Sequence, residues 1–396
     1  MVKQAGKKKS GTVTGIEYGR SMVRVATLSL GRGGRVQVRS LSAASVKPAR
    51  PGVVEDLREA RIQALKEALS KHQRDLGTVI VGASRDEVVS RFVSLPSGEA
   101  AEIRDMLFFD VERHIPFSPD DAEISYRIVE QVGANESRVL MVASKRSDLY
   151  HLLDDLDKTG VQPDRIDVDV HGCGYSFARN GVGNGEPFAV LDLDLKSSRM
   201  SLIVDNGLRF SRAIHIGVGS LKEGDSALPT LQTDSSDWSE ELHDWWKSLV
   251  RNIVRSLAGF AHEEHGAEPR KLIITGVGSR IEGLPEALQK EIELPVEVLD
   301  PLESGKGTEN TTAYSCAIGL ALEELEKEHH INLIPEEIYE RYAAAHRKRF
   351  MFNTLFLVFI NLFLLGGWAG HAFWHKQQTL RIYQNKIAKI QPKIAD

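Results

Sequence analysis

Apolar and polar positions alternate with a period of two over residues 12–30, TVTGIEYGRSMVRVATLSL, and again over 188–208, FAVLDLDLKSSRMSLIVDNGL. Each stretch reads as an apolar strand ending in an acidic residue, then a polar turn, then an alternating strand. That is the pattern of a β-hairpin. The two stretches lie about 175 residues apart, which predicts two similar lobes, the second starting near residue 186. Elsewhere the apolar period lengthens to three or four. Ile62, Leu65 and Leu69 mark one helix face. Ile103, Met106, Leu107 and Val111 mark a second, stopped at Ile115-Pro116. Trp246, Leu249, Val250, Ile253, Val254 and Leu257 mark a third. Short apolar runs at 78–81, 138–143 and 271–275 predict further strands, and the polar run 224–239 with Pro229 predicts a surface loop. Helices interleaved with strands define an α/β domain.

The pattern changes character at residue 350. From there to Trp374 no side chain is charged, counting His371 as neutral. A helix of that length spans about 37 Å, against roughly 30 Å of bilayer hydrocarbon. Arg347, Lys348 and Arg349 precede the run, and Trp368 and Trp374 sit near its far end, as interface markers do. Length and flanks exclude a buried core helix and predict one transmembrane helix over 350–374. Gly366, Gly367 and Gly370 give it a small-residue patch. The basic flank and the large preceding domain, which opens on no apolar leader, place the N-terminal side in the cytosol. Beyond the span, Leu380, Tyr383, Ile387 and Ile390 predict an amphipathic or coiled-coil segment, a short periplasmic tail over 375–396.

Bulk composition narrows the picture further. A net charge of -5 leaves no nucleic-acid footprint. Two cysteines in 396 residues, Cys173 and Cys316, suit a reducing compartment rather than a disulfide framework. Residues 1–10, with Lys7, Lys8 and Lys9, read as a basic solvated tail.

Candidate chemistry gathers at three places. Glu17 and Gly19 sit at the first hairpin turn and Asp192 at the second. A strand at 272–275 runs into Gly276 and Gly278, with Gly283 and a helix after them. An acid at each hairpin could hold a hydrated divalent cation between two lobes. Glycines let backbone amides approach phosphates, or let an adenosine lie flat against the chain.

This order and spacing resembles the actin-like ATPase fold (ribonuclease H-like, two-lobed) and, within it, the PilM family of type IV pilus assembly proteins. Residues 94–126, SLPSGEAAEIRDMLFFDVERHIPFSPDDAEISY, resemble that family's small inserted subdomain. The resemblance continues through Val142-Ala143-Ser144-Lys145-Arg146, Thr159-Gly160-Val161-Gln162-Pro163 and 313–321, AYSCAIGLA. It covers about 11–322, and the cytosolic domain it implies runs over 11–328. Next comes His330-Ile331-Asn332-Leu333-Ile334-Pro335, similar to the Ile-Asn-Leu-Leu-Pro peptide that opens PilN, the family's bitopic partner. In PilN that peptide docks in a groove on PilM and precedes a basic stretch and a membrane helix. The chain therefore resembles PilM fused to the start of PilN, with 329–349 as docking peptide and basic linker. GspL, the type II secretion platform protein, has the same order of parts.

The resemblance implies an inner-membrane assembly-platform protein of a type II secretion or type IV pilus system. Its partners would be a hexameric assembly ATPase, a PilO-like or GspM-like bitopic membrane protein, and a second copy of itself. Family carry-over makes Glu17, Gly19, Asp192, Gly276, Gly278 and Gly283 the nucleotide-binding residues, and Ile331 to Pro335 the groove peptide. Departures from the family pattern are concentrated at the phosphates. The first turn reads Glu17-Tyr18-Gly19-Arg20, with a longer acid and a bulky arginine. In the second, Asp194 replaces a glycine, and Gly217-Val218-Gly219-Ser220-Leu221-Lys222 lacks a threonine. An acid there repels a triphosphate. The expectation is a degenerate ATPase fold serving as a scaffold, with no catalytic residue, no metal and no cofactor. The alternative is an active Mg-ATP enzyme whose nucleotide state gates partner binding. A division protein of the FtsA type shares the fold but uses an amphipathic membrane helix rather than a span.

Overall fold

The structure is a computed structural model. It describes residues 11–31, 35–72, 76–131, 133, 135–205, 207–221, 228–231, 238–263, 268–302, 309–326 and 331–390. The basic tail 1–10, most of the 224–239 loop, the 329–330 segment and residues 391–396 lie outside them. The chain divides into two compact units, 1–334 and 335–396.

The first unit opens with β1 (Thr12–Tyr18), β2 (Met22–Leu30), β3 (Val36–Ser45), α1 (Val54–Ser70) and β4 (Thr78–Ala83). An inserted subdomain follows: β5 (Val89–Leu95), α2 (Ala100–Asp110), β6 (Ala122–Gln131) and β7 (Ser137–Lys145). The chain then makes α3 (Arg146–Asp157), β8 (Arg165–Val168) and α4 (Asp169–Arg179). The second lobe holds β9 (Phe188–Leu193), β10 (Ser198–Val204), β11 (Gly207–Ile214), α5 (Glu240–Glu263), β12 (Leu272–Thr275), α6 (Leu284–Ile292) and β13 (Val296–Val298). A short α7 (Glu309–Thr312) leads to α8 (Ser315–Glu326).

The two lobes have the same topology. Their sheets run β3-β2-β1-β4-β8 and β11-β10-β9-β12-β13. In each, a three-stranded antiparallel meander is extended by two parallel strands. The central parallel strands β4 and β12 are buried along their whole length, because helices cover both faces of such a sheet. This is the two-lobed α/β arrangement anticipated from the repeated hairpins. The inserted sheet has the order β5-β7-β6, so β6 is an edge strand, as β8 is in the first lobe.

Helix α4 packs on α8 by close backbone approach: a Cβ on Gly319 would collide with the backbone of Gly172. The same α4 also meets the second lobe, where Gly174 leaves room for the Ile203 side chain. The core of the second lobe gathers Trp246, Leu249 and Ile253 from α5 against Leu272 and Ile274 of β12. Of the expected α5 face, Val254 is exposed, since it lies one residue beyond the buried stripe.

The second unit is one continuous helix, α9 (Glu336–Ile390), 55 residues long. Pro335 starts it, accepting hydrogen bonds from the amides of Ile338 and Tyr339, both at 3.0 Å. No break marks the expected boundaries at 350 and 374. Among the described residues no helix is long and apolar enough to cross a membrane. The side chains at 343–354, 356–357 and 369 lie outside the described residues, and with them Arg347, Lys348, Arg349 and most of the first third of the 350–374 stretch.

Candidate functional site

Glu17 and Asp192 end up at the facing tips of the two hairpins, but in the strands rather than in the turns. Each acid has an arginine as its cross-strand partner: Arg24 on β2 faces Glu17, and Arg199 on β10 faces Asp192. Both arginines reach across to the other lobe. The Arg24 guanidinium donates to both Glu17 carboxylate oxygens at 3.1 Å and to Asp194 at 2.7 and 3.1 Å. Arg199 donates to Glu17 Oε1 at 2.7 Å, and is paired with Asp192 and with Asp169 at the start of α4. Ser21 Oγ lies 3.4 Å from Asp194, and the Cys316 thiol 3.6 Å from Asp192.

All six charged side chains are buried; Glu17 is 1% exposed and Arg199 6%. Burying a charge is costly unless it is paired and hydrogen-bonded, and here each one is. Burial lifts the Asp169 carboxyl to about 7 against the pull of Arg199, with Glu17 and Asp192 adding to the rise. Asp192 is raised too, chiefly by burial. For Asp194, burial acts upward, but the paired Arg24 outweighs it and holds the group below the ordinary carboxylate range.

The glycines expected to meet a nucleotide are packed against the chain itself. Gly276 has a positive φ of 78°, and a Cβ there would meet Asp192 Oδ1 at 2.5 Å. Gly278 is filled against the Leu193 side chain, and Gly283, at the start of α6, against the Leu231 carbonyl. Gly19 folds its turn onto the Met22 carbonyl, and Arg20 points into solvent. The structure thus brings Glu17, Asp192 and Gly276 together, whereas the neighbour of Gly283 is Leu231.

Arg24, Arg199 and Asp169 are additions that the sequence reading missed. The one signal for the two arginines was a lone arginine in each apolar hairpin strand, in register with its acid. Ligand atoms of Glu17, Asp192 and Cys316 lie within 4.8 Å of one another, a spacing that suits a metal ion. Arg199 Nη2 already sits on two of the three, so the residues as arranged do not fit a Mg-nucleotide.

A second site lies at the edge of the first lobe. Residues Ile331 to Ile334 belong to the first unit and run between the edge strands β8 and β6. The Leu333 amide donates to the Ile166 carbonyl at 2.9 Å, and the Ile166 amide donates to Asn332 Oδ1 at 3.2 Å. The Asn332 amide donates to Ser125 Oγ on β6 at 3.0 Å, and Asn332 Oδ1 also accepts from Ile334 at 3.1 Å. Ile331, Leu333 and Ile334 are buried, Leu333 completely. Pro335 belongs to the second unit, where it opens α9. Beside Ile166, Arg165 pairs with Asp167 at 2.5 Å and approaches Glu323 of α8 at 3.6 Å, while His171 bonds Asp167 at 2.7 Å. Burial would raise Asp167, but His171 and Arg165 bring it down to about 2. Burial lifts Glu323 to about 7, and nearby Asp167 adds to the rise.

Two matching lobes, each opening on an antiparallel meander, with an inserted subdomain in the first, define the chain as a protein of the actin-like fold. The sequence profile of the family described as type IV pilus assembly protein PilM matches residues 15–224, and the chain belongs to that family. Among solved structures it is similar to the PilM-PilN type IV pilus biogenesis complex. That match has a TM-score of 0.64 and 20% identity, and covers 79% of this chain and 98% of the other. More distant likenesses include the cytoplasmic domain of EpsL from Vibrio cholerae, an inner membrane component of the type II secretion system. There the identity is 13%, the coverage 61% and 95%, and the TM-score 0.37. MreB 5 of Spiroplasma citri is another, at 10% identity, 81% and 98% coverage and a TM-score of 0.43. No curated protein matches the chain significantly in sequence.

Proposed function

We propose that this chain is an inner-membrane assembly-platform component of a type IV pilus or type II secretion system, carrying its own PilN-like docking peptide. The observation that carries the reading is the seating of Ile331 to Ile334 between β8 and β6, by backbone bonds and three buried apolar side chains. The related solved complex pairs PilM with a separate PilN. Here the corresponding peptide is part of the same chain and fills the groove in cis. Membership of the PilM family supports the system; the fused order of parts supports the platform role.

In this reading α9 is the single transmembrane helix over 350–374, with the first unit in the cytosol. Support comes from the uncharged stretch and its basic and tryptophan flanks, and from a run of exposed apolar side chains including Leu355, Phe359, Phe363, Leu365 and Trp368. The actin-like unit is a scaffold that recruits a hexameric assembly ATPase, while α9 passes the connection to a PilO-like or GspM-like bitopic protein. Crosslinking and mass spectrometry on native membranes tests this. The expected result is crosslinks from the first unit to a cytosolic assembly ATPase and from α9 to a bitopic membrane protein. Recovery of neither partner would overturn the reading.

A further inference from the structure

The interlobe centre has the geometry of a cation site and already contains a cation of the chain's own. One ligand atom each from Glu17, Asp192 and Cys316 lies within 4.8 Å of the others. The set is two carboxylate oxygens and a thiol sulfur, and a single ion at roughly 2.0–2.6 Å from each would hold them at about that separation. At that place Arg199 Nη2 bridges Glu17, at 2.7 Å, and Asp192. Arg24 bridges Glu17 and Asp194 in the same manner. We propose that the guanidiniums of Arg24 and Arg199 are built-in substitutes for a divalent cation, holding the two lobes closed without any metal-nucleotide complex. The proposal rests on the reading of this unit as a scaffold and gives it a physical basis.

Three observations carry it. Each arginine is the strand-register partner of its own lobe's acid and also grips an acid beyond that lobe, so the two bridges cross symmetrically. Four carboxylates (Glu17, Asp169, Asp192 and Asp194) share the two guanidiniums, so each acid of the centre is already paired with a cation of the chain's own. The guanidiniums are buried at 2% and 7% side-chain exposure and do not act as a solvated surface pair. Removing Arg199 would leave Asp169 and Asp192 buried without a guanidinium partner and Glu17 with Arg24 alone, and a hard divalent ion is the group best able to replace it.

The test is a titration of Mn²⁺ into the full chain in detergent, with free ion read by electron paramagnetic resonance. Wild type is expected to show no saturable site. Arg199→Ala is expected to gain one, with affinity at least about tenfold above any wild-type binding. Adding Glu17→Gln to that variant should abolish the gain, and Arg199→Lys, which keeps the charge, should behave as wild type. Recovery of folded Arg199→Ala only when Mn²⁺ is present also supports the substitution. Folded Arg199→Ala that gains no ion overturns it, as does failure of that variant to fold with or without Mn²⁺ while Arg199→Lys folds. Wild-type binding of Mn²⁺ or Mg-ATP that Glu17→Gln abolishes overturns it as well. Partner crosslinking is independent of this titration, so failure of the cation substitution and failure of the platform reading are distinguishable.

Discussion

Leu333→Ala is the sharpest perturbation of the docked peptide. Leu333 is fully buried, and its amide is bonded to Ile166 on β8. Truncating a buried leucine to alanine costs about 2–5 kcal/mol, the lost transfer energy plus the cavity left behind. The peptide is a short segment at the edge of a large unit, so the loss acts on local release more than on global unfolding. Taking about 3 kcal/mol, the released fraction rises roughly a hundredfold. Asn332→Ala adds to this, because Asn332 Oδ1 accepts from both Ile166 and Ile334 at 3.2 and 3.1 Å. Each lost bond that leaves a buried amide unpaired costs about 1–3 kcal/mol. The assay is limited proteolysis across residues 323–349, with amide exchange of the Leu333 and Ile166 N–H groups measured in parallel. Faster cleavage and exchange at an unchanged global melting temperature is the expected result. Cleavage and exchange rates equal to wild type would refute the reasoning, because a docked leucine cannot be truncated without loosening its dock.

Stability should fall as pH rises from about 5 to about 8. Asp169 and Glu323 are raised to about 7 in the fold, so the folded state binds protons more tightly than the unfolded chain, and this contribution is lost as pH rises through 7. Melting temperatures across that range check the sign, with Glu323→Gln expected to flatten part of the slope. Arg24→Ala leaves Asp194 buried without its bidentate partner and Glu17 with Arg199 alone, and should cost about 3–5 kcal/mol, read as a lower urea midpoint; a wild-type midpoint would contradict the crossed bridges. For Cys173 the hydrogen bond with Cys316 acts downward, but burial together with the Asp192 and Glu17 carboxylates lifts the thiol above its ordinary value, while for Cys316 that bond and burial both act upward. Both thiols should therefore resist alkylation in the native protein and react after denaturation. Gly319→Ala should destabilise the α4–α8 crossing by about 1–3 kcal/mol or more, since its Cβ has no room against Gly172.

Much of the architecture was legible because it rests on period. The alternation at 12–30 and 188–208 became β1–β2 and β9–β10, and the equal sheet orders of the lobes follow from the repeat. Ile331 to Ile334 stood out through its resemblance to the peptide that opens PilN, and no local period announced that the segment would lie against Ile166 of β8. The interlobe centre was only half legible. An acid ending an apolar strand stands out, but a lone arginine in the neighbouring strand reads as a solvent-facing residue. Strand register alone tells that Arg24 lies beside Glu17 and Arg199 beside Asp192. Asp169 was invisible for a different reason: its role depends on α4 running between the lobes, a tertiary fact with no local signature. The glycine turn at Gly276 and Gly278 was read as room for a ligand, whereas the chain's own Asp192 and Leu193 lie against it.

The way Asn332 and Leu333 use up both backbone groups of Ile166 has a practical consequence for anyone preparing the cytosolic part alone. A version ended at Glu326, the natural-looking stop after α8, would bare the β8 edge and the surface that Ile331 and Leu333 cover. An open strand edge invites a neighbouring molecule to pair there. Ending the chain after Ile334 keeps that edge capped, and comparing the solubility of the two lengths is a simple way to see the peptide act as a guard.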